Sequence, residues 1–288
     1  MVLNIKQIFT VLLLTALYLP NCMAQSAEVK VIRDVPYGQD QRQRLDVYMP
    51  RGAGNAPVIF MVHGGAWRIG DKASNGVVRN KVNHWVSKGF VFISVNYRLV
   101  PDAAPMQQVK DVESALRFSQ QQARKWGGSP DRFILMGHSA GAHLVSLIAS
   151  RGQQELAGGV KPWLGAVAID SAAYDIVEIM TSRRPPRFYK KAFGIHQAYW
   201  KAASPIYALS GKRAPFLAIC STQRKDAPCV QAGKYIQKSR QFGTDAKLLK
   251  VDLSHRATNV NLGKRSSYTR SVDRFLMQLH PDIASLLR

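Results

Sequence analysis

"RFILMGHSAGAHLVSLIAS", residues 132–150, changes its hydrophobic period halfway along. Phe133 to Met136 is an unbroken apolar run, the pattern of a strand buried on both faces, whereas Ala142 to Ala149 carries apolar residues at helical intervals. Between them stands Gly137-His138-Ser139-Ala140-Gly141. A strand that turns sharply into a helix brings its own backbone into close approach, and a glycine on each side of Ser139 removes the β-carbons that would collide. The pattern therefore predicts Ser139 on a strained, exposed corner at a helix N-terminus, where unpaired N–H groups favour negative charge. Ser139 is the candidate nucleophile; read in isolation it could also be an ordinary helix cap.

Outward from this turn, apolar strands alternate with helical patterns. "VKVIRDVPYG" and "RLDVYMP" read as an opening pair of strands, and "PVIFMVHGG" and "VFISVNYRL" as strands buried on both faces. Helical spacing runs through "VVRNKVNHWVSKG" up to Gly89 and through the segment after Pro105 up to Gly127-Gly128. After the Ser139 helix come the strands "LGAVAID", "APFLAICS" and "AKLLKVDL", the helix "CVQAGKYIQKSRQFG" and a last helix from about Ser266. Such alternation predicts an α/β fold with a mostly parallel central sheet and helices on both faces. The stretch 172–212 is too long for a plain connection and is expected to form a small cap or lid. With no repeat or composition break, residues 25–288 are expected to be one domain.

Residues 1–24 read differently. Lys6 precedes the apolar run "IFTVLLLTALYL", which is short for a membrane span, and Cys22-Met23-Ala24 offers small residues at a cleavage site. This is the pattern of a signal peptide, and it predicts a periplasmic or secreted protein with no transmembrane span after cleavage. Removal of that leader leaves Cys220 and Cys229, which an oxidising compartment would join as a disulfide.

Three further places carry candidate chemistry. "VHGGAW", residues 62–67, follows a strand with two glycines whose amides could turn toward a developing oxyanion. Gly64, Gly65 and, from the serine turn, Ala140 are its expected donors. His255 in "VDLSHRA" follows a late strand and is the candidate general base. Asp226 in "STQRKDAPC" precedes it and is the candidate acid, giving the order Ser, Asp, His. Asp252 is the rival considered, set aside because its strand should point it across the pleat from His255. A Cys220–Cys229 bridge would span the loop that carries Asp226.

With these residues in order, the chain resembles the α/β-hydrolase superfamily and its carboxylesterase and lipase branch. The "HGGAW", "NYRL" and "GHSAGAHL" segments and the late Asp and His carry the likeness, over about residues 30–280. Within that branch it is similar to feruloyl and acetyl esterases and to kynurenine formamidases. The resemblance implies a serine esterase cleaving short-chain acyl or aryl esters through Ser139, His255 and Asp226, with no cofactor and no metal. An arylformamidase-type amide hydrolase would use the same residues and is the alternative. The sequence departs from the hormone-sensitive-lipase pattern at Ala66, where a third glycine would stand. Trp67 is expected to bind substrate at the pocket mouth, and Tyr174, Phe188, Tyr189, Tyr199 and Trp200 to shape it.

The charge balance is extreme: 40 Lys and Arg against 18 Asp and Glu give a net +22, of which the leader supplies only Lys6. That surplus suits anionic partners such as acidic polysaccharide or an anionic surface, besides a small-molecule or glycan-linked ester. A non-catalytic binder of anionic surfaces is the remaining reading. No nucleic-acid-binding motif accompanies the densest cluster, "RRPPRFYKKAF" at 183–193, so specific nucleic-acid binding is not expected.

Overall fold

A computed structural model describes residues 29–152, 155–156 and 158–288; the expected signal peptide lies outside the described residues. Eight strands form one sheet: β1 Lys30–Pro36, β2 Arg44–Met49, β3 Ala56–Val62, β4 Val91–Val95, β5 Gly128–His138, β6 Gly165–Ile169, β7 Phe216–Ser221 and β8 Ala246–Val251. Their spatial order is β1-β2-β4-β3-β5-β6-β7-β8. At one edge β1 pairs antiparallel with β2 and β2 antiparallel with β4, and the remaining pairs are parallel. The expected α/β architecture is the one observed, and β3, β4, β6 and β7 are buried along their whole length.

The sheet is covered on both faces, as parallel strands require. One face packs against α1 (Asn75–Trp85) and two C-terminal helices, through Val82, Trp85, Val272, Phe275, Leu276 and Ile283. The other face packs against α2 (Pro105–Gln122) and α3 (Ala140–Ser150), with Val109, Leu116, Leu144 and Leu147 among its contacts. Every residue of α3 is buried, so the helix that starts at the serine turn runs through the core.

The stretch after β6, where a cap or lid is expected, holds four short helices: α4 (Ile176–Thr181), α5 (Arg187–Phe193), α6 (Gln197–Ala202) and α7 (Pro205–Ala208). The basic cluster at 183–193 is thus only partly loop. Pro186 leads into α5, which buries Tyr189, Ala192 and Phe193 and turns Arg187, Lys190 and Lys191 to solvent. The remaining helices are α8 (Pro228–Gln241), α9 (His255–Val260), α10 (Ser267–Met277) and α11 (Pro281–Leu287). Among the described residues no helix is long and apolar enough to cross a membrane.

Candidate active site

The parallel register brings the site together. His138 at the end of β5 lies opposite Ile169 at the end of β6, so the next residues, Ser139 and Asp170, leave neighbouring strands side by side. The ladder continues one step beyond the strands: Ser139 N–H donates to the Ile169 carbonyl at 2.9 Å, and Asp170 N–H to the Ile219 carbonyl at 2.8 Å. Both residues turn abruptly there, with φ of 55° for Ser139 and 54° for Asp170, a region that side chains rarely occupy.

The glycines around Ser139 are needed for close approach. A β-carbon on Gly137 would lie 2.4 Å from the Gly141 carbonyl oxygen, and one on Gly141 would lie 2.2 Å from that of Val62. Neither position can carry a side chain without moving backbone. Ser139 stands at the N-cap position of α3, but its side chain makes no capping bond and faces the imidazole instead.

His255 is the first residue of α9, whose N-terminus is capped by Ser254. Its Nε2 is 3.0 Å from Ser139 Oγ, and its Nδ1 is 2.6 Å from Asp170 Oδ2. Hydrogen bonds from Thr258 Oγ1 and from His138 Nε2 hold its carbonyl. Since the carboxylate accepts from Nδ1–H, Nε2 carries its lone pair toward the serine hydroxyl. Burial alone would raise the pKa of Asp170, which is fully enclosed. Hydrogen bonds from His255 and the Ser221 amide, with the nearby Arg224 charge, outweigh burial and hold the carboxyl below its usual value.

The carboxylate that meets His255 is thus Asp170, and the expectation for Asp226 is corrected. Asp226 lies on the loop after β7, half-exposed, where both its oxygens are taken by Arg224. Arg224 occupies the space between that loop and the imidazole: Nη1 donates to the Asp170 carbonyl at 2.8 Å and lies 3.2 Å from Asp170 Oδ2. This guanidinium keeps Asp226 on its outer side. Asp252, the rival, instead accepts from Gln223 at 3.1 Å on the exposed surface.

Cys220 and Cys229 form the expected disulfide, with Cα atoms 5.2 Å apart. The bridge closes the loop that carries Arg224 and Asp226, fixing it against the end of β7.

The "HGGAW" turn stands beside the serine. The His63 ring stacks on Tyr97, the Tyr97 hydroxyl donates to the His63 carbonyl, and Nδ1 bonds the Gly64 carbonyl at 2.8 Å. A β-carbon on Gly64 would sit 2.9 Å from that of Ser139, so only glycine lets the turn come this close. Gly65 has φ of 129°, and the carbonyl of Gly65 accepts the amides of Arg68 and Ile69. Among the described residues the amides of Gly64 and Gly65 donate to no group of the chain, and Ala140, as the first residue of α3, has no intrahelical acceptor. Ala66, where the third glycine was missed, adopts φ of 50° all the same.

Trp67 is only 2% exposed and forms a wall of the cavity rather than its mouth. Its ring packs on Tyr189, Phe193 and His143, and its Nε1 donates to His143 Nδ1 at 3.2 Å. His143 Nε2–H in turn donates to the Ala203 carbonyl, tying α3 to the end of α6. Of the other aromatic residues expected here, Phe188 and Tyr189 line the cavity; Tyr174 is buried against Tyr235, Trp200 bonds the carbonyls of Phe193 and Gly194, and Tyr199 accepts from the Met106 amide. The cavity encloses about 810 Å³. Among the described residues no group of His, Cys, Asp and Glu could hold a metal ion.

A serine, an imidazole and a buried carboxylate in line at the carboxyl ends of a parallel sheet define the class: an α/β-hydrolase fold. The BD-FAE family model matches residues 45–238, from β2 to most of α8, and the chain belongs to that family. The chain is 37% identical over 117 residues to the probable isoprenylcysteine alpha-carbonyl methylesterase ICMEL1 of Arabidopsis thaliana, a match covering 40% of this chain and 24% of that protein. It is 29% identical over 223 residues to the esterase LipC of Mycobacterium tuberculosis, covering 72% of this chain and 55% of that protein. The matches therefore span from a quarter to just over half the length of these two relatives. A truncated carbohydrate esterase from gut microbiota superposes with a TM-score of 0.75 at 18% identity, covering 88% of this chain and 98% of that one.

Proposed function

We propose that the protein is a serine hydrolase that cleaves carboxylic esters through an acyl-enzyme. The observation that carries the reading is the unbroken line from Ser139 Oγ through His255 to Asp170, at 3.0 and 2.6 Å. In it His255 Nε2 takes the hydroxyl proton as Ser139 attacks the ester carbonyl, and Asp170 stabilises the imidazolium. The amides of Gly64, Gly65 and Ala140 receive the oxyanion, an electrostatic contribution of several kcal/mol. His255 then protonates the departing alcohol, and water cleaves the acyl-enzyme by the same proton path.

The reading extends to short-chain or aryl esters, supported by the aromatic wall of Trp67, Phe188 and Tyr189. It also extends to export, supported by the leader pattern in the sequence and by the Cys220–Cys229 bridge, which suits an oxidising compartment. Hydrolysis of p-nitrophenyl esters from acetate to decanoate by wild type and Ser139→Ala tests it. Turnover greatest on the short chains and lost in the variant is expected; equal turnover by both proteins would overturn the role of Ser139.

A further inference from the structure

The cavity has two unlike sides. One is the aromatic wall beneath the cap; the other is formed by α1 and α9 and carries Arg79 and Arg256. These helices are fastened together beneath the surface. Lys81, buried on α1, donates to the Gly76 carbonyl and to the carbonyl and side-chain oxygens of Asn259 on α9, at 3.0, 2.7 and 2.8 Å. Asn80 Nδ2 adds a 2.6 Å bond to the Val260 carbonyl. Arg79 and Arg256 therefore project from one braced surface, with Arg256 the residue next to the catalytic imidazole.

The charges lining the cavity divide sharply into committed and uncommitted groups. Asp71 accepts from Asn96 and the Ala73 amide, Asp170 from His255 and the Ser221 amide, and Asp226 from Arg224. Arg224 is held between Asp170 and Asp226. Among the described residues the guanidinium groups of Arg79 and Arg256 take part in no ion pair or hydrogen bond, and both side chains are exposed. The charge this cavity has left to offer a ligand is positive, and it is carried by guanidinium groups, whose planar donors match a carboxylate.

We propose that the preferred substrate is an anionic ester, bearing a carboxylate that Arg79 and Arg256 bind while its apolar part lies against Trp67 and Phe188. This rests on the esterase reading above. The carboxylate could belong to a small ester or to an acidic polysaccharide. The surplus of Lys and Arg over the whole chain adds long-range attraction for either, but only the two arginines fix where the anion sits.

The test compares 3-carboxy-4-nitrophenyl butanoate with 4-nitrophenyl butanoate, and 4-nitrophenyl hydrogen adipate with 4-nitrophenyl hexanoate, so that the charge falls on either side of the ester. The proteins are wild type, Arg79→Gln/Arg256→Gln, and Arg124→Gln/Lys125→Gln. The last removes the same charge from the opposite end of the sheet, before β5. We expect wild type to favour the charged member of at least one pair, and the ratio of kcat/KM values to fall tenfold or more, through KM, only in the cavity variant. Release of acetate from acetylated polygalacturonate rather than acetylated xylan would assign the carboxylate to a polysaccharide, and the reverse, with the ratio still lost in the cavity variant, to a small ester. Neutral esters preferred in both pairs, or the same fall in both double variants, would overturn the proposal while leaving the esterase reading intact. No turnover of any ester by wild type would remove that reading and the proposal with it.

Discussion

Replacing Asp170 by asparagine keeps the side chain's shape and removes its charge. In wild type one carboxylate oxygen accepts the Ser221 amide at 2.8 Å and the other accepts His255 Nδ1–H at 2.6 Å. The introduced amide can satisfy Ser221 only with its oxygen, which leaves its NH2 facing Nδ1. A donor facing that nitrogen stabilises the tautomer with the proton on Nε2, and Nε2, 3.0 Å from Ser139 Oγ, can then no longer accept. A wrong tautomer in an otherwise intact site lowers kcat by roughly 10³ to 10⁴, or about 4 to 5.5 kcal/mol of transition-state stabilisation. Asp226→Asn removes only a half-exposed ion pair with Arg224, so its kcat should fall by less than about threefold. The assay is the steady-state hydrolysis of p-nitrophenyl butyrate at pH 8 by both variants. An Asp170→Asn enzyme that keeps a tenth of its kcat beside a crippled Asp226→Asn enzyme would refute the reasoning.

Other consequences concern stability. His63, His138 and His143 are enclosed, and burial pushes their pKa values down to about 4, about 3 and about 4, so they are neutral when folded and charge on unfolding in acid. The unfolded chain then binds more protons below about pH 6.5, and stability falls as pH drops toward 4: by about 4 kcal/mol between pH 7.5 and 5.5 for the three together, read from urea midpoints at each pH. Gly141→Ala should cost about 3 kcal/mol or more, or prevent folding, because its β-carbon meets the Val62 carbonyl; urea denaturation and expression yield check it. Cys229→Ala opens a loop with a sequence separation of 9, and loop-closure entropy sets the expected loss at about 2.5 to 3 kcal/mol in the same measurement.

Where the sequence spoke through period and steric need, it was readable without coordinates. The glycines beside Ser139 and the glycine pair after His63 mark points where backbone approaches backbone, and the structure shows the atoms that would be struck. Strand and helix alternation foretold the sheet for the same reason: strands covered on both faces must be apolar throughout. The acid was misread because chain order permits both Asp170 and Asp226, and a loop carboxylate after β7 looks free until Arg224, two residues away, is seen to take both its oxygens. A local signal did exist. Asp170 closes the apolar run "LGAVAID", and a carboxylate at the end of a buried strand needs a partner to offset its desolvation. The stretch 172–212 was legible as more than a plain connection but not as helices, since segments such as Gln197–Ala202 are too short to show a period.

Reaction with a p-nitrophenyl alkylphosphonate, followed by intact-mass and peptide mass spectrometry, tests the central claim most directly. The account predicts one phosphonyl adduct per chain, located on Ser139, formed with release of p-nitrophenol and absent from Ser139→Ala and nearly absent from His255→Ala. An adduct on another residue, or a folded wild-type protein that forms none while still hydrolysing esters, would contradict it.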